Sequence, residues 1–349
     1  MDAIAAHIRK SEAERAHLAT ALRRIDAASL VDRSGLLEPA LINPMSEAAV
    51  DGTIAAVDGG LLAAEFHGFD LVIARATAAI FTYEKSKLIS HAYWPGPFPE
   101  PDIVAPRALD SHDFQWYAAL FRLGQEISTA IEVAKKFRPA ALLLDGSIMP
   151  QMSDRPAEDS PSRPLYTSLI ENYKELYSVC TRQHCPLVGV IKDSRGRRFL
   201  DILENAVSPE LRQGLANSND CMLLHHVLKP GERTAAFTYS KSIREHPVLR
   251  ELGDWGSQIN TMYLKPTEHD RPLRLDFLDR IDDVNGLANA IYSLSRGNKS
   301  YAYPAILIEA DLRAALDGRE IDIIYHDIFS KTGALSSMLK LRRDCRPFR

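Results

Sequence analysis

The sequence predicts an α/β fold: a mixed β-sheet flanked by helices, with additional strands and helices in its middle region. Three observations carry that expectation. Between residues 53 and 95, the runs TIAAVDGG, LAAEFHGFDLVIARATAAIFTY and SKLISHAYWP are rich in β-branched and aromatic residues and broken by glycine and polar residues. That pattern suits strands joined by hairpin turns. From about Ser111 to Phe137, Leu120, Leu123, Ile127, Ile131, Ala134 and Phe137 recur at three- or four-residue intervals, predicting a helix with one apolar face. PAALLLDGSIMP follows as a short apolar run ending in Asp145, the mark of a buried strand.

The remaining elements follow in order. Residues 4–28 are predicted as an amphipathic helix, with Ile4, His7, Ile8, Leu18, Leu22 and Ile25 set among charges. Residues 29–52 read as irregular, and the proline-rich PGPFPEPDIVAP as an extended loop. SDRPAEDSPSRP reads as a polar loop, residues 165–182 as a helix, and CPLVGVIKDS as a strand with charges at its end. CMLLHHVL, RTAAFTY and INTMYLKP read as strands, and residues 286–295 and 304–316 as helices. There is no repeat of fixed period and no P-loop.

Composition bounds the function classes. The 349 residues are 46% hydrophobic, enough for a large core in one or two domains. With 25% charged residues and a net charge of -4, a globally basic nucleic-acid binder is not indicated, although a local basic groove is compatible. The C-terminal KLRRDCRPFR is one such patch, or a solvated tail. No apolar run approaches the roughly 18–20 residues of a membrane span, so no membrane partner is expected. The charged N-terminus lacks a signal-peptide core. Cys180, Cys185, Cys221 and Cys345 form no CxxC pair, and CTRQHC has no second ligand pair at zinc spacing. Reduced thiols in a cytoplasmic protein are expected.

The carboxylates are more informative. TIAAVDGG reads as a strand that ends at Asp58 and turns away through Gly59 and Gly60. Asp145 ends a second strand in LLLDGS, and Glu126 lies on the helix between them, flanking its apolar stripe. Three carboxylates gathered at one place repel one another unless a cation neutralises them. Mg²⁺ and Mn²⁺ prefer such oxygen ligands, and two ions about 4 Å apart serve phosphodiester hydrolysis. The ordinary alternative is a pair of Asp-Gly turns and a solvated helical glutamate. Both readings stand on residue types alone.

The strand–hairpins–helix–strand order with these acids resembles the ribonuclease H-like nuclease fold. More narrowly, the chain resembles the NurA nuclease family. The matching pieces are AAVDGG, RLGQEISTAIEVAKKFRPAALLLDGS, GVIKDS and YPAILIEADLRA, from about residue 50 to 316. The resemblance implies that Asp58, Glu126 and Asp145 bind Mn²⁺ or Mg²⁺, and that Tyr303 is the family's tyrosine before proline. Asp311 stands where family members often have histidine. An aspartate ligates hard cations but supplies no imidazole, and Glu309 competes for the role. Lys192 is implied as a phosphate contact or charge stabiliser, with a snorkelling surface lysine as the alternative. Arg195, Arg197 and Arg198 in DSRGRR read as DNA-backbone contacts or as a solvated loop. His225 and His226 on a strand would face opposite ways, which suits a satisfied core histidine, and His326 is ambiguous.

The domain division is then 1–50 as a lead-in helix and segment for dimer or partner contact, 51–330 as a NurA-like nuclease domain, and 331–349 as a basic tail. The implied activity is single-stranded DNA endonuclease and 5′–3′ exonuclease, processing DNA ends. It would act as a homodimer with a HerA-type hexameric ATPase translocase, in DNA repair or antiphage defence. A catalytically inactive adaptor or clamp of the translocase is the first alternative. An actin-like phosphotransferase is the second, since Asp-Gly turns also surround ATP phosphates in that superfamily, but it does not call for the helical glutamate.

Overall fold

Alternating apolar residues and two long amphipathic helices produce a three-layer arrangement. The computed structural model describes residues 2–25, 35–204, 212, 215, 218–278 and 283–333. The strands are β1 (Ile42–Pro44), β2 (Gly52–Glu65), β3 (Asp70–Glu84), β4 (Lys87–Trp94), β5 (Asp102–Val104), β6 (Ala141–Asp145), β7 (Leu187–Ile191), β8 (Glu232–Thr234), β9 (Phe237–Thr238), β10 (Ile259–Lys265) and β11 (Leu273–Leu278). They form one sheet in the order β1-β8-β10-β11-β7-β6-β2-β3-β4, with β5 on β3 and β9 on β10. β3 runs antiparallel to both β2 and β4, β6 and β7 run parallel to β2, and β11 returns antiparallel to β7. This ribonuclease H-like order places β2 and β6 side by side near the centre.

Successive side chains of β2 enter opposite layers. Ala55 and Val57 pack with Leu142 and Leu144 against α2 (Ser111–Phe137) and α3 (Arg163–Arg182). Ile54 and Ala56 pack with Leu143, Val188 and Val190 against α7 (Val284–Ser295) and α8 (Ala305–Ala314). The heptad-like stripe on α2 buries Leu120, Ile127, Ala130, Ile131 and Ala134, each large aliphatic side chain contributing about 1.5–3 kcal/mol. Asp110 caps this helix by accepting the His112 and Asp113 N–H groups at 2.9 and 3.0 Å.

The largest departure from expectation concerns β2. It does not end at Asp58 but continues through Gly59 and Gly60 to Glu65, paired with β3 along its whole length. The glycines are there for room, not for a turn. A Cβ on Gly59 would lie 2.5 Å from Oε1 of Glu126, and one on Gly60 would lie 2.2 Å from the Ala314 carbonyl oxygen.

Other differences have local causes. CMLLHHVL lies within a helix, α5 (Asp220–Val227), started by Asn219, whose side chain accepts the Met222 N–H at 2.9 Å. The strand argument for His225 and His226 therefore lapses. The N-terminal helix α1 (Asp2–Leu22) stops short of residue 28, and residues 26–28 lie outside the described residues. The Pro-rich loop contains β5, and the irregular stretch contains β1. β11 was hidden by Arg274 and Asp276, which pair with each other at 2.8 Å. A short α4 (Arg198–Leu203), α6 (Pro247–Glu251) and a final α9 (Gly318–Thr332) follow, with short 3-10 helices at Met152–Asp154 and Gly253–Gln258. The basic tail falls outside the described residues from 334 onward.

Candidate active site

The site forms where β6 stops beside the middle of β2. Pairing between these strands ends at Val57 and Leu144, so Asp58 and Asp145 follow as neighbours. Both share the strand parity of residues that face α8. Glu126 comes from α2 on the opposite layer and occupies the space left by Gly59. β6 ends at Asp145 while β2 runs on, and the missing Cβ of Gly59 lets Glu126 reach in from the α2 side, so the acids sense one another.

That mutual influence appears in their protonation. Burial pushes Asp58 up to about 8, with further upward pressure from Asp145, Glu126 and Asp311. Burial likewise pushes Glu126 up to about 7. Arg122 opposes that rise, and Asp145 and Asp154 reinforce it. Asp58 is 7% exposed and accepts the Gly59 N–H at 2.7 Å, while Glu126 is ion-paired with Arg122 four residues earlier on α2.

Asp145 is held by two residues from other elements. Lys192, just after β7, donates from Nζ to Oδ2 at 2.7 Å. The Tyr303 hydroxyl, just before α8, lies 3.0 Å from Oδ1 and 2.9 Å from the Val190 carbonyl, sharing its proton between these acceptors. Lys192 also sits over the Tyr303 ring at 4.4 Å. Burial opposes the charge on Lys192, but Asp145 outweighs it and raises the lysine above its ordinary value.

The predicted residues thus divide. Asp58, Glu126 and Asp145 interact, with Lys192 and Tyr303 on Asp145 and exposed Asp311 at the rim of α8. Glu309 is engaged elsewhere, accepting the Tyr93 hydroxyl at 2.7 Å and Arg313 at 2.8 Å. Arg197 donates to the Leu215 carbonyl at 2.5 Å and pairs with Asp201, and Arg198 bonds Thr238. Both therefore serve the local fold. Arg195 is exposed. His226 pairs with Glu12 at 2.8 Å, and His326 is exposed on α9.

Two residues were not anticipated. Arg122 had a signal, its i,i+4 spacing to Glu126. Asp154, in the polar loop before α3, raises Glu126 but had none.

Among the described residues, no three acid, imidazole or thiol groups stand already gathered as a metal cage. Arg122 and Lys192 instead hold oxygens of Glu126 and Asp145. The all-oxygen donor set and the strained ionisation of Asp58 and Glu126 nevertheless fit a hard divalent cation by chemistry. No helix among the described residues is long and apolar enough to cross a membrane.

A family model described as the NurA domain matches residues 52–316. The crystal structure of the NurA nuclease from Sulfolobus solfataricus is similar over 83% of this chain and 87% of its own, with 17% identity and a TM-score of 0.56. A second NurA structure is 11% identical over 91% of this chain and 94% of its own, with a TM-score of 0.48. A structure of NurA with manganese is 12% identical over 80% and 89%, with a TM-score of 0.45. No curated protein matches the chain by sequence.

Proposed function

The chain belongs to the NurA family, and from that premise we propose that it is a Mn²⁺- or Mg²⁺-dependent deoxyribonuclease. The observation that carries this reading is the gathering of Asp58 and Asp145 at the end of the β2–β6 pairing with Glu126 in the space beside Gly59, where burial, Asp145, Glu126 and Asp311 raise the Asp58 pKa to about 8. Buried acids that repel one another's charge create a demand for positive charge that a divalent cation would meet.

Asp58, Glu126 and Asp145 would hold the cation, with Asp311 as a fourth oxygen donor from the rim. When bound, it would supply Lewis acidity at the scissile phosphate and make an adjacent water more acidic. The residues of the chain do the rest. Tyr303 fixes the direction of Asp145 and ties it to β7 through the Val190 carbonyl. Lys192 keeps an ammonium beside Asp145, where it can pass to a phosphate oxygen of an incoming strand. Arg122 balances Glu126 until the strand and cation arrive.

The finer reading follows the family resemblance. The substrates are single-stranded DNA and duplex ends, cut by endonuclease and 5′–3′ exonuclease action in DNA repair or antiphage defence. The chain works as a homodimer with a HerA-type hexameric ATPase, which would supply the driven movement that a sequence without a P-loop motif does not. The first 50 residues are the segment we assign to dimer or partner contact, ahead of a nuclease domain over 51–330.

Cleavage of end-labelled single-stranded and duplex DNA tests the reading, with Mn²⁺, Mg²⁺ or chelator and with or without the ATPase. Cleavage that needs the cation and disappears in Asp145→Ala is expected. Equal cleavage in chelator would remove the metal reading. ATPase binding with no cleavage under any cation would make the chain an adaptor.

A further inference from the structure

A groove leads away from the carboxylates. It consists of two adjoining concavities of about 270 and 540 Å³ that share Asp193 and Arg271 as a common wall. The first begins at Lys192 and Tyr303, the residues that hold Asp145, and passes beneath Tyr301. The second continues past Arg195 and Asn219 to His225.

Of its three acids, Glu12 pairs with Arg15 and His226, and Asp193 stands exposed beside Arg271. Asp270 is spent on the protein, accepting the Arg271 N–H at 2.7 Å and the Ala302 N–H at 2.6 Å. Arg195 is exposed and, among the described residues, its side chain has no hydrogen bond or ion pair. Arg271 meets Asp193 at 3.0 Å, but the two side chains are 70% and 78% exposed. An exposed pair of this kind contributes little and exchanges readily for another anion. Tyr301 is 45% exposed, with its ring 6.0 Å from that of buried Tyr303. The two rings are tilted 46° from one another, and nearly half of the Tyr301 surface is open to solvent.

We propose that this groove seats the unpaired DNA strand adjoining the cut, with a base on Tyr301 and the following phosphates on Arg271 and Arg195. An open aromatic ring followed by exposed cations is the combination that binds single strands, because an unstacked base offers its face and a duplex keeps its bases stacked. The inference rests on the nuclease reading and adds to it the route of the strand. It also separates the DSRGRR cluster: Arg195 meets substrate, while Arg197 and Arg198 hold the loop that presents it.

The test is anisotropy of a fluorescent oligothymidylate of about 20 nucleotides, longer than the roughly 4–16 that one such site spans, titrated with the full chain in chelator. Arg195→Ala and Arg271→Ala should each weaken binding and each lower the slope of log affinity against log salt by about 1. Tyr301→Ala should weaken binding about tenfold with the slope unchanged, and Tyr301→Phe should restore it. Lys135→Ala, an exposed cation on α2, is the charge control and should alter neither. Equal affinity in all variants, failure of Tyr301→Phe to rescue, or no strand binding by the unaltered chain would overturn the groove. Metal-dependent cleavage with unchanged affinities would remove the groove and leave the nuclease. Variant-sensitive binding by a chain that never cleaves would do the reverse.

Discussion

Asp58→Asn is expected to abolish cleavage while making the metal-free protein more stable at neutral and alkaline pH. The loss should reach at least about a thousandfold, because a cation ligand supports several kcal/mol of transition-state stabilisation. The gain in stability follows from the pKa. In the folded chain Asp58 is raised to about 8 from an ordinary 3.8, first by burial and then by Asp145 and Glu126. The folded state therefore favours the protonated form. The stability this contributes is fully present below about pH 4 and is lost as pH rises through about 8. Asparagine keeps the oxygen that accepts the Gly59 N–H but has no charge to lose. The difference in Tm between the Asp58→Asn variant and the unaltered chain, measured in chelator, should widen from pH 5 to 8.5 and then level. Excess Mn²⁺ should stabilise the unaltered chain, by about 2.7 kcal/mol at a hundredfold excess over Kd, and so raise its Tm, and should stabilise the variant less. A variant that cleaves normally, or whose Tm difference is flat with pH, would dismiss Asp58 as a buried ligand.

The second large effect is expected at Gly60. A Cβ there would lie 2.2 Å from the Ala314 carbonyl oxygen and 3.3 Å from the Leu316 amide nitrogen, both backbone atoms at the end of α8. Backbone cannot rotate aside, so in Gly60→Ala α8 must lift from β2, at a cost of about 3 kcal/mol, the upper end for overpacking. That helix carries Asp311 and is preceded by Tyr303, so cleavage should fall with stability. At Gly59 the obstruction is instead the Glu126 side chain, at 2.5 Å for Oε1 and 2.7 Å for Cγ. Gly59→Ala should therefore displace the carboxylate, reducing cleavage sharply with a smaller loss of Tm. Thermal melts and cleavage rates of the two variants decide this, and the opposite order would contradict the packing described.

These glycines also mark where sequence reasoning reached its limit. α2 and β6 are legible because the apolar residues of α2 recur at three- or four-residue intervals to Phe137 and those of β6 form one short run ending at Asp145. DGG in β2 looked like a turn because glycine is rare inside strands, and only the approach of Glu126 and Ala314 explains it. β11 was obscured because Arg274 and Asp276 look like surface charges. Asp276 is buried and Arg274 half-buried beside it, and Asp276 also receives hydrogen bonds from Ser147 and Thr261, at 2.7 and 2.8 Å, from distant parts of the chain. At the site, the acid types and their order were visible in the sequence. The pairing of Lys192 and Tyr303 with Asp145, the countercharge of Arg122 and the influence of Asp154 required the fold.

The central claim is that these carboxylates jointly hold a divalent cation. Anomalous diffraction at the manganese edge, from crystals of the full chain equilibrated with Mn²⁺, tests it most directly. The predicted result is a peak within coordination distance of Asp58 and Asp145, with Glu126 drawn from Arg122 toward the ion. A peak elsewhere, or none with the Arg122–Glu126 and Lys192–Asp145 pairs intact, would contradict it.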